Sequence, residues 1–349
     1  MKLLLITQIV DKKDPALGFA HGWIEEFARH CEKVVVLCLK EGEHTLPPNV
    51  VVYSLGKESR PSRLRYLYRF YTSIWRHRAS YDYVFVHMNP EYVVLGGLLW
   101  RMLGKRVGLW YTHRTADLKL RLATHLMHQA FTGSKESYQI ETPKVLVTGQ
   151  GVDTTIFVPA HHEGATHRSL TLVVVGRIAP IKNLELAIDT LGEVAKTIPD
   201  ARLCIVGAPV KPEDFVYQEK MRAYIAQKGL GAHIDMVGGK DSAGVLAVLQ
   251  SSDIFLHTSQ TNSADKTVVE AMACGVYVLS SSPVYVKDIP ASCAQPPDAH
   301  AYATEIVRYT KLPLAERTEI QAALRQSAID RHSLARLIKL ILATLRGKE

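Results

Sequence analysis

The sequence predicts an α/β protein of two domains, each a doubly wound parallel sheet, and three observations carry that reading. Short β-rich apolar runs alternate with helix-length segments along most of the chain, the pattern of βαβ units. The opening run KLLLITQIV is apolar on successive residues, as a strand buried on both faces is. The chain is also long for one core at 349 residues, and the polar stretch VPAHHEGATHR (158–168) interrupts the alternation before it restarts.

The elements follow in order. The run at 2–10 is the first strand, and a loop with Pro15 and Gly18 leads into a helix containing GWIEEFARH. Strands are expected at 33–39, 49–55, 82–88 and 105–113, with helices at 62–79 and 91–103 between them. A basic helix at 115–131 and short strands around FTGS and KVLVTG complete the first domain, 1–160. The second domain, 169–330, has strands at 171–176, 201–207, 233–239 and 253–259. Helices are expected there at 183–198, 213–228, 241–251, 299–310 and 314–330. A final amphipathic helix lies within 331–349, placed to pack back on the first domain. Ligands bind such sheets outside the carboxyl ends of their strands. Two domains facing one another across a cleft would line it with the loops after the strands.

Composition narrows the class. The chain is 47% hydrophobic and 22% charged, as soluble globular proteins are. No run reaches the roughly 18 apolar residues that a membrane-spanning helix needs. The five cysteines (31, 38, 204, 274 and 293) are scattered without a CxxC pair, which argues for reduced thiols and a cytoplasmic protein. His161, His162 and His167 read as solvated linker residues, and His125 and His128, spaced i, i+3, as surface residues without a third ligand.

Two stretches carry candidate chemistry. LHTSQTNSADKTVVEAMACGVYVLSSS (256–282) reads as strand, polar loop, helix, Gly turn and strand. The helix begins near Asp265, Lys266 and Thr267. Its first amides lack intrahelical partners and carry partial positive charge, so this start either holds a phosphate or caps an ordinary crossover. VVVGRIAPIKN (173–183) places Gly176, Arg177 and Lys182 directly after a buried strand. A planar guanidinium and a compact ammonium five residues apart suit a diphosphate, unless the loop is merely solvated. Together the two stretches describe one diphosphate grip.

GRIAPIKN, IVGAP, MVGG and EAMACGVYVLSS, in this order and spacing, resemble the donor domain of family 4 glycosyltransferases of the GT-B fold. The first loop, YTH (111–113) and GQGVD (149–153) extend the resemblance over essentially the whole chain. It implies two Rossmann-like domains, an acceptor domain followed by a donor domain. By resemblance, Arg177 and Lys182 bind the diphosphate of a nucleotide-sugar and stabilise the charge that grows as it leaves. Backbone amides at Asp265, Lys266, Thr267 and Val268 assist, and Glu270 holds the ribose hydroxyls. Gly239 and Lys240 match the base-contacting turn. Gly18 lets the first loop approach the phosphate, and His113 matches a histidine beside the transferred sugar, with a core histidine as the alternative. The family carries a glutamate eight residues before Glu270, where this chain has Asn262. Asn262 or Asp265 is then the candidate for the sugar hydroxyls.

No DxD motif occurs, so no metal or other cofactor is expected. The resemblance implies retaining, metal-independent transfer of a hexose-type sugar from a UDP- or GDP-sugar to a glycan or lipid-linked acceptor, as in polysaccharide biosynthesis. A nucleotide-sugar 2-epimerase of the same fold and a non-catalytic nucleotide-sugar binder are the alternatives. A nicotinamide dehydrogenase is disfavoured because no GxGxxG follows the first strand.

The stretch 57–78 holds seven Lys/Arg and one acidic residue, or +6 of the chain's +8. Arg65, Arg69 and Arg76 share one helical stripe, and Leu64, Leu67, Tyr71, Ile74 and Trp75 another. Either the apolar stripe packs on the sheet and the arginines are solvated, or the segment docks peripherally on an anionic membrane face. Nucleic acid is not indicated, since no binding motif accompanies the charge.

Overall fold

A computed structural model describes residues 1–347 except 15–16, 60–61, 114, 161–168 and 262–263. The chain forms two compact units, Met1–Gly151 with Ser333–Glu349, and Val152–His332. The polar linker histidines expected at 161, 162 and 167 lie outside the described residues. Val152 and Phe157 already belong to the core of the second unit, so that unit begins ahead of the stretch 158–168.

The first unit contains β1 (Lys2–Val10), α1 (Phe19–His30), β2 (Lys33–Glu41), β3 (Val50–Ser54), α2 (Arg63–Arg76) and β4 (Tyr83–His87). It continues through α3 (Pro90–Met102), β5 (Arg106–Trp110), α4 (Leu118–Leu126), β6 (Gln129–Thr132) and β7 (Val145–Val147). The seven strands are all parallel, in the order β3-β2-β1-β4-β5-β6-β7. The period of two explains both faces. Leu3, Leu5, Val34 and Val36 enter one core, while Leu4, Ile6, Val35 and Leu37 enter the other. The second of these cores is closed by Phe70 and Ile74 of α2, Val93 and Trp100 of α3, and Leu120 and Ala123 of α4.

The helix expected over 115–131 is shorter. Asp117 accepts the Leu120 amide at 2.9 Å and starts α4 there. Met127 is extended, and β6 takes up residues at the expected helix end. His125 and His128 therefore share no helix face.

The second unit contains β8 (Thr171–Val175), α5 (Leu184–Ala195), β9 (Arg202–Val206), α6 (Pro212–Gln227), β10 (Ile234–Gly238) and α7 (Ser242–Gln250). After these come β11 (Ile254–His257), α8 (Lys266–Ala273), β12 (Tyr277–Ser280), α9 (Ala299–Lys311) and α10 (Leu314–His332). Its five parallel strands run β10-β9-β8-β11-β12. One continuous core, from Val173 and Ile205 to Phe255 and Val278, fills the unit. The last helix, α11 (Leu334–Arg346), packs its apolar face with α1 in the first unit, through Leu337, Ile338, Ile341 and Leu345. Among the described residues no helix is long and apolar enough to cross a membrane.

Candidate active site

Strand order places the site in the second unit. From β8 the chain winds outward through β9 and β10, then returns to β11 on the other side. The carboxyl ends of β8 and β11 are thus the topological switch point, where open α/β sheets hold ligands. The expected residues gather there because the two loops are stitched together. Thr258 donates its hydroxyl to the Lys182 carbonyl at 2.7 Å, and the Gln260 amide donates to Ile181 at 3.0 Å. Thr267, in the first turn of α8, donates to the Val175 carbonyl at 3.2 Å and fixes the helix start beside the end of β8. At the neighbouring strand end, a Cβ on Gly207 would stand 1.8 Å from the Gly176 carbonyl oxygen. Only glycine allows the two backbones to approach so closely.

Lys182 closes a short 3₁₀ turn, and its side chain runs past Gly176, where a Cβ would lie 3.3 Å from the lysine Cε. Its ammonium donates to Asp265 Oδ2 at 2.6 Å. The same oxygen is paired with His257 Nε2 at 3.0 Å, and His257 Nδ1 meets the Ser280 hydroxyl at 2.8 Å. Tyr302 donates to the His257 carbonyl at 3.0 Å, and Tyr285 donates to the Asp265 carbonyl at 2.7 Å. Burial pushes the Asp265 carboxyl up, but the His257 hydrogen bond and the Lys182 charge outweigh it and hold the group well below the usual carboxylate range. An aspartate at an N-cap ordinarily folds onto the amides of the first turn. Asp265 makes no such cap bond and turns inward instead.

The other candidates have their own partners. Arg177 is exposed, with Nε 3.6 Å from Asp214 Oδ2. Asp214 is buried at the start of α6, and accepting the Lys211 and Val210 amides keeps its carboxyl below its ordinary value. The pair Arg177 and Lys182 therefore does not meet on a common group. Each cation faces a separate carboxylate. Glu270 is buried on α8 and receives the Lys266 ammonium at 2.7 Å, while Val268 is buried behind it. Gly239 and Lys240 are exposed after β10, just before Asp241 caps α7. Asn262 lies outside the described residues.

In the first unit, His113 is exposed after β5, 5.8 Å in an edge contact from the Tyr111 ring, which removes the alternative of a core histidine. Gly18 begins α1, and a Cβ there would meet the Asp14 carbonyl at 2.6 Å. The loop's own backbone already demands that glycine, whatever the loop holds.

On α2 the orientation differs from the apolar-stripe-inward expectation. Phe70 and Ile74 are its buried residues, and Leu64, Leu67, Tyr68, Tyr71 and Trp75 are exposed. Arg65 and Arg76 are also exposed, but Arg69 is half-buried and donates to the Leu55 carbonyl at 2.9 Å. Arg69 is thus a structural tie rather than a free surface charge.

Sequence reasoning passed over His257, Asp214 and Tyr285. The signal for His257 was present, since it ends the strand that opens the 256–282 segment, at the switch point itself. Asp214 was concealed as an ordinary first-turn carboxylate.

Residues 161–327 match the family model of glycosyl transferases group 1. The chain is 30% identical over 138 residues to a phosphatidylinositol N-acetylglucosaminyltransferase subunit of Arabidopsis thaliana, a stretch covering 40% of this chain and 29% of that protein. The matched stretches span between 29% and 37% of the length of the first curated relatives. Among solved structures, Anabaena HepE in complex with UDP aligns at TM-score 0.75 and 17% identity, over 99% of this chain and 100% of that one. A glycosyltransferase from Rickettsia africae aligns at TM-score 0.77 and 16% identity, over 99% and 98% of the two chains. At such identities the likeness is one of fold, and the fold is GT-B.

Proposed function

We propose that this chain, whose residues 161–327 match the family model of glycosyl transferases group 1, is a glycosyltransferase that transfers a sugar from a nucleoside diphosphate-sugar to an acceptor. The observation that supports this best is Lys182, held beside Gly176 at the β8/β11 switch point next to the start of α8. An ammonium and a helix N-terminus close together at the strand ends are suited to a diphosphate. Once engaged with the diphosphate, their charge would stabilise it as it leaves. Arg177 is the second cation, exposed and able to swing from Asp214 toward the ligand. Glu270 is the residue for the ribose hydroxyls and the turn at Gly239 and Lys240 the contact for the base. His113, exposed in the first unit, is the residue for the transferred sugar. Retaining transfer without a metal, of a hexose-type sugar from a UDP- or GDP-sugar, is the chemistry this reading implies.

The test is a thermal-shift panel of UDP-, GDP- and ADP-sugars, since a ligand that binds only the native state raises its melting temperature. One donor should stabilise the wild type, Lys182→Ala should abolish that shift, and the same donor should be consumed when acceptors are supplied. A panel without any shift would refute the proposal.

The acceptor side of the reading is a lipid-linked glycan at an anionic membrane face. Its support is the outer side of the α2–α4 layer, which exposes Leu64, Tyr68 and Trp75 together with Leu98 and Met102 of α3 and Leu118 of α4. Arg63, Arg65, Arg76 and Arg78 are exposed among or beside these groups, and Arg78 lies 4.4 Å over the Trp75 ring. Apolar anchors bordered by arginines suit an interface, where each basic residue contributes about 1 kcal/mol near anionic lipid. Cosedimentation with anionic but not neutral liposomes, reduced in Trp75→Glu, is the expected result. Failure to cosediment at low salt would refute it.

A further inference from the structure

Resting on the donor-site reading above, we infer that Asp265 is a resident counter-anion for Lys182, which competes with the donor's diphosphate for that cation and speeds release of the nucleotide product. The pair is close, 2.6 Å between Nζ and Oδ2. Its two members are not equally movable. Asp265 is anchored through His257 to Ser280 on one side and through its own carbonyl to Tyr285 on the other. Lys182 has a long flexible stem that lies against Gly176, with no side chain from that residue in its way. A diphosphate arriving at the strand ends therefore meets a cation that is already partnered, beside a carboxylate held in place by further bonds.

One further feature fits this role and not that of a helix cap. Asp265 occupies the N-cap of α8 yet gives its carboxylate to Lys182 and His257 rather than to the first-turn amides. It also stays ionised, held so by those two partners. A fixed negative charge beside a bound diphosphate weakens the complex with donor and with product alike. Product release limits turnover in many transferases and other enzymes with closing sites, so a built-in competitor for the gripping cation would favour rapid cycling.

The experiment measures binding and dissociation of UDP, GDP and ADP with the full chain, as wild type, Lys182→Ala, Asp265→Asn and Asp265→Ser. Serine is included because it is favoured at an N-cap, so one Asp265 variant keeps a well-formed helix start, and melting without ligand verifies the fold of each. The expected result is that the bound nucleoside diphosphate binds about tenfold tighter to the Asp265 variants, within the range measured for close charge pairs. Dissociation should slow by a similar factor, and turnover should fall while KM for the donor falls with it. A residue with a merely structural role would weaken binding instead. Wild-type binding that is lost in Lys182→Ala but unchanged or weaker in both Asp265 variants would overturn the counter-anion while leaving the donor site standing. Absence of nucleoside diphosphate binding in all four proteins would overturn both.

Discussion

Replacing Lys182 by methionine should destabilise the second unit, and most of the loss should return when Asp265→Asn is added. The ammonium and carboxylate are 2.6 Å apart, with side chains only 18% and 20% exposed. Removing the cation leaves a largely buried carboxylate with His257 as its remaining partner. Breaking one side of a fully buried pair costs about 3–5 kcal/mol. The residual exposure and the His257 bond reduce that here to about 2–3 kcal/mol. Asp265→Asn alone should cost about 1 kcal/mol, because the lysine stem lets its ammonium reach water. The double variant removes both charges and should lie close to the single asparagine, giving a coupling of about 2 kcal/mol. All four tryptophans (23, 75, 100 and 110) lie in the first unit, so tryptophan fluorescence is blind to this change. Far-UV circular dichroism during urea unfolding, with amide exchange across α8, reads it. A single variant costing less than about 0.5 kcal/mol, with no recovery in the double, would show that the ion pair is not formed in the free protein, and the argument built on it would fail.

Other perturbations test other parts of the structure. His87 is packed against Trp23 at 5.0 Å between ring centroids, and burial lowers its pKa from 6.5 to about 4. The unfolded chain then binds the extra proton between those values, so stability falls as pH drops through that window. From pH 6.5 to 5 the loss should be about 2 kcal/mol, followed by tryptophan fluorescence, and His87→Phe should flatten the slope. Gly207→Ala places a Cβ against the Gly176 carbonyl and should cost about 2 kcal/mol or more by forcing the strand ends apart. The same variant should abolish donor-induced thermal stabilisation, and unchanged donor binding would mean that this close approach does not shape the site. Arg325 donates to the carbonyls of Phe157, Thr154 and Ala273, so Arg325→Ala should lower the melting temperature of the second unit while leaving nucleotide affinity intact.

The strands and both covered faces of the first unit's sheet were legible because runs such as Leu3–Ile6 and Val34–Leu37 are apolar at every position, as strands of a sheet covered on both faces are, whereas the strand order was not. The two loops of the site were legible for a related reason, since 176–182 and 258–266 follow the buried strands that become β8 and β11, while their meeting at the switch point was not. Which way α2 faces was not legible. Its apolar stripe runs broadly from Phe70 and Ile74 at one edge to Leu64 and Trp75 at the other, and a helical wheel does not say which edge faces the sheet. The choice is made by tertiary packing, which buries Phe70 and Ile74 among residues distant in sequence, with Arg69 tied to the Leu55 carbonyl beside them. The inward turn of Asp265 was concealed in the same manner. Local rules make an aspartate before a helix a cap, whereas its actual partners are a lysine 83 residues away and a histidine on the neighbouring strand end.

The two basic residues of the site follow one physical pattern with different degrees of hold. Asp214 is fixed by the amides of Val210 and Lys211, and Asp265 by His257, so in each pair the carboxylate is the rigid partner and the cation the movable one. The Arg177 contact is longer, at 3.6 Å, and Arg177 is the more exposed cation at 39%. Solvent screens it, and little is lost when it turns away. The Lys182 contact is shorter and drier, so its exchange is the costly step. With both cations already answered by carboxylates, little uncompensated charge remains at the strand ends to attract anions indiscriminately. If the site holds the proposed donor, selection for its diphosphate would rest on whether a ligand can reach Lys182, Arg177 and the start of α8 together. A monophosphate that meets only one of these would then gain too little to displace Asp265 from Lys182.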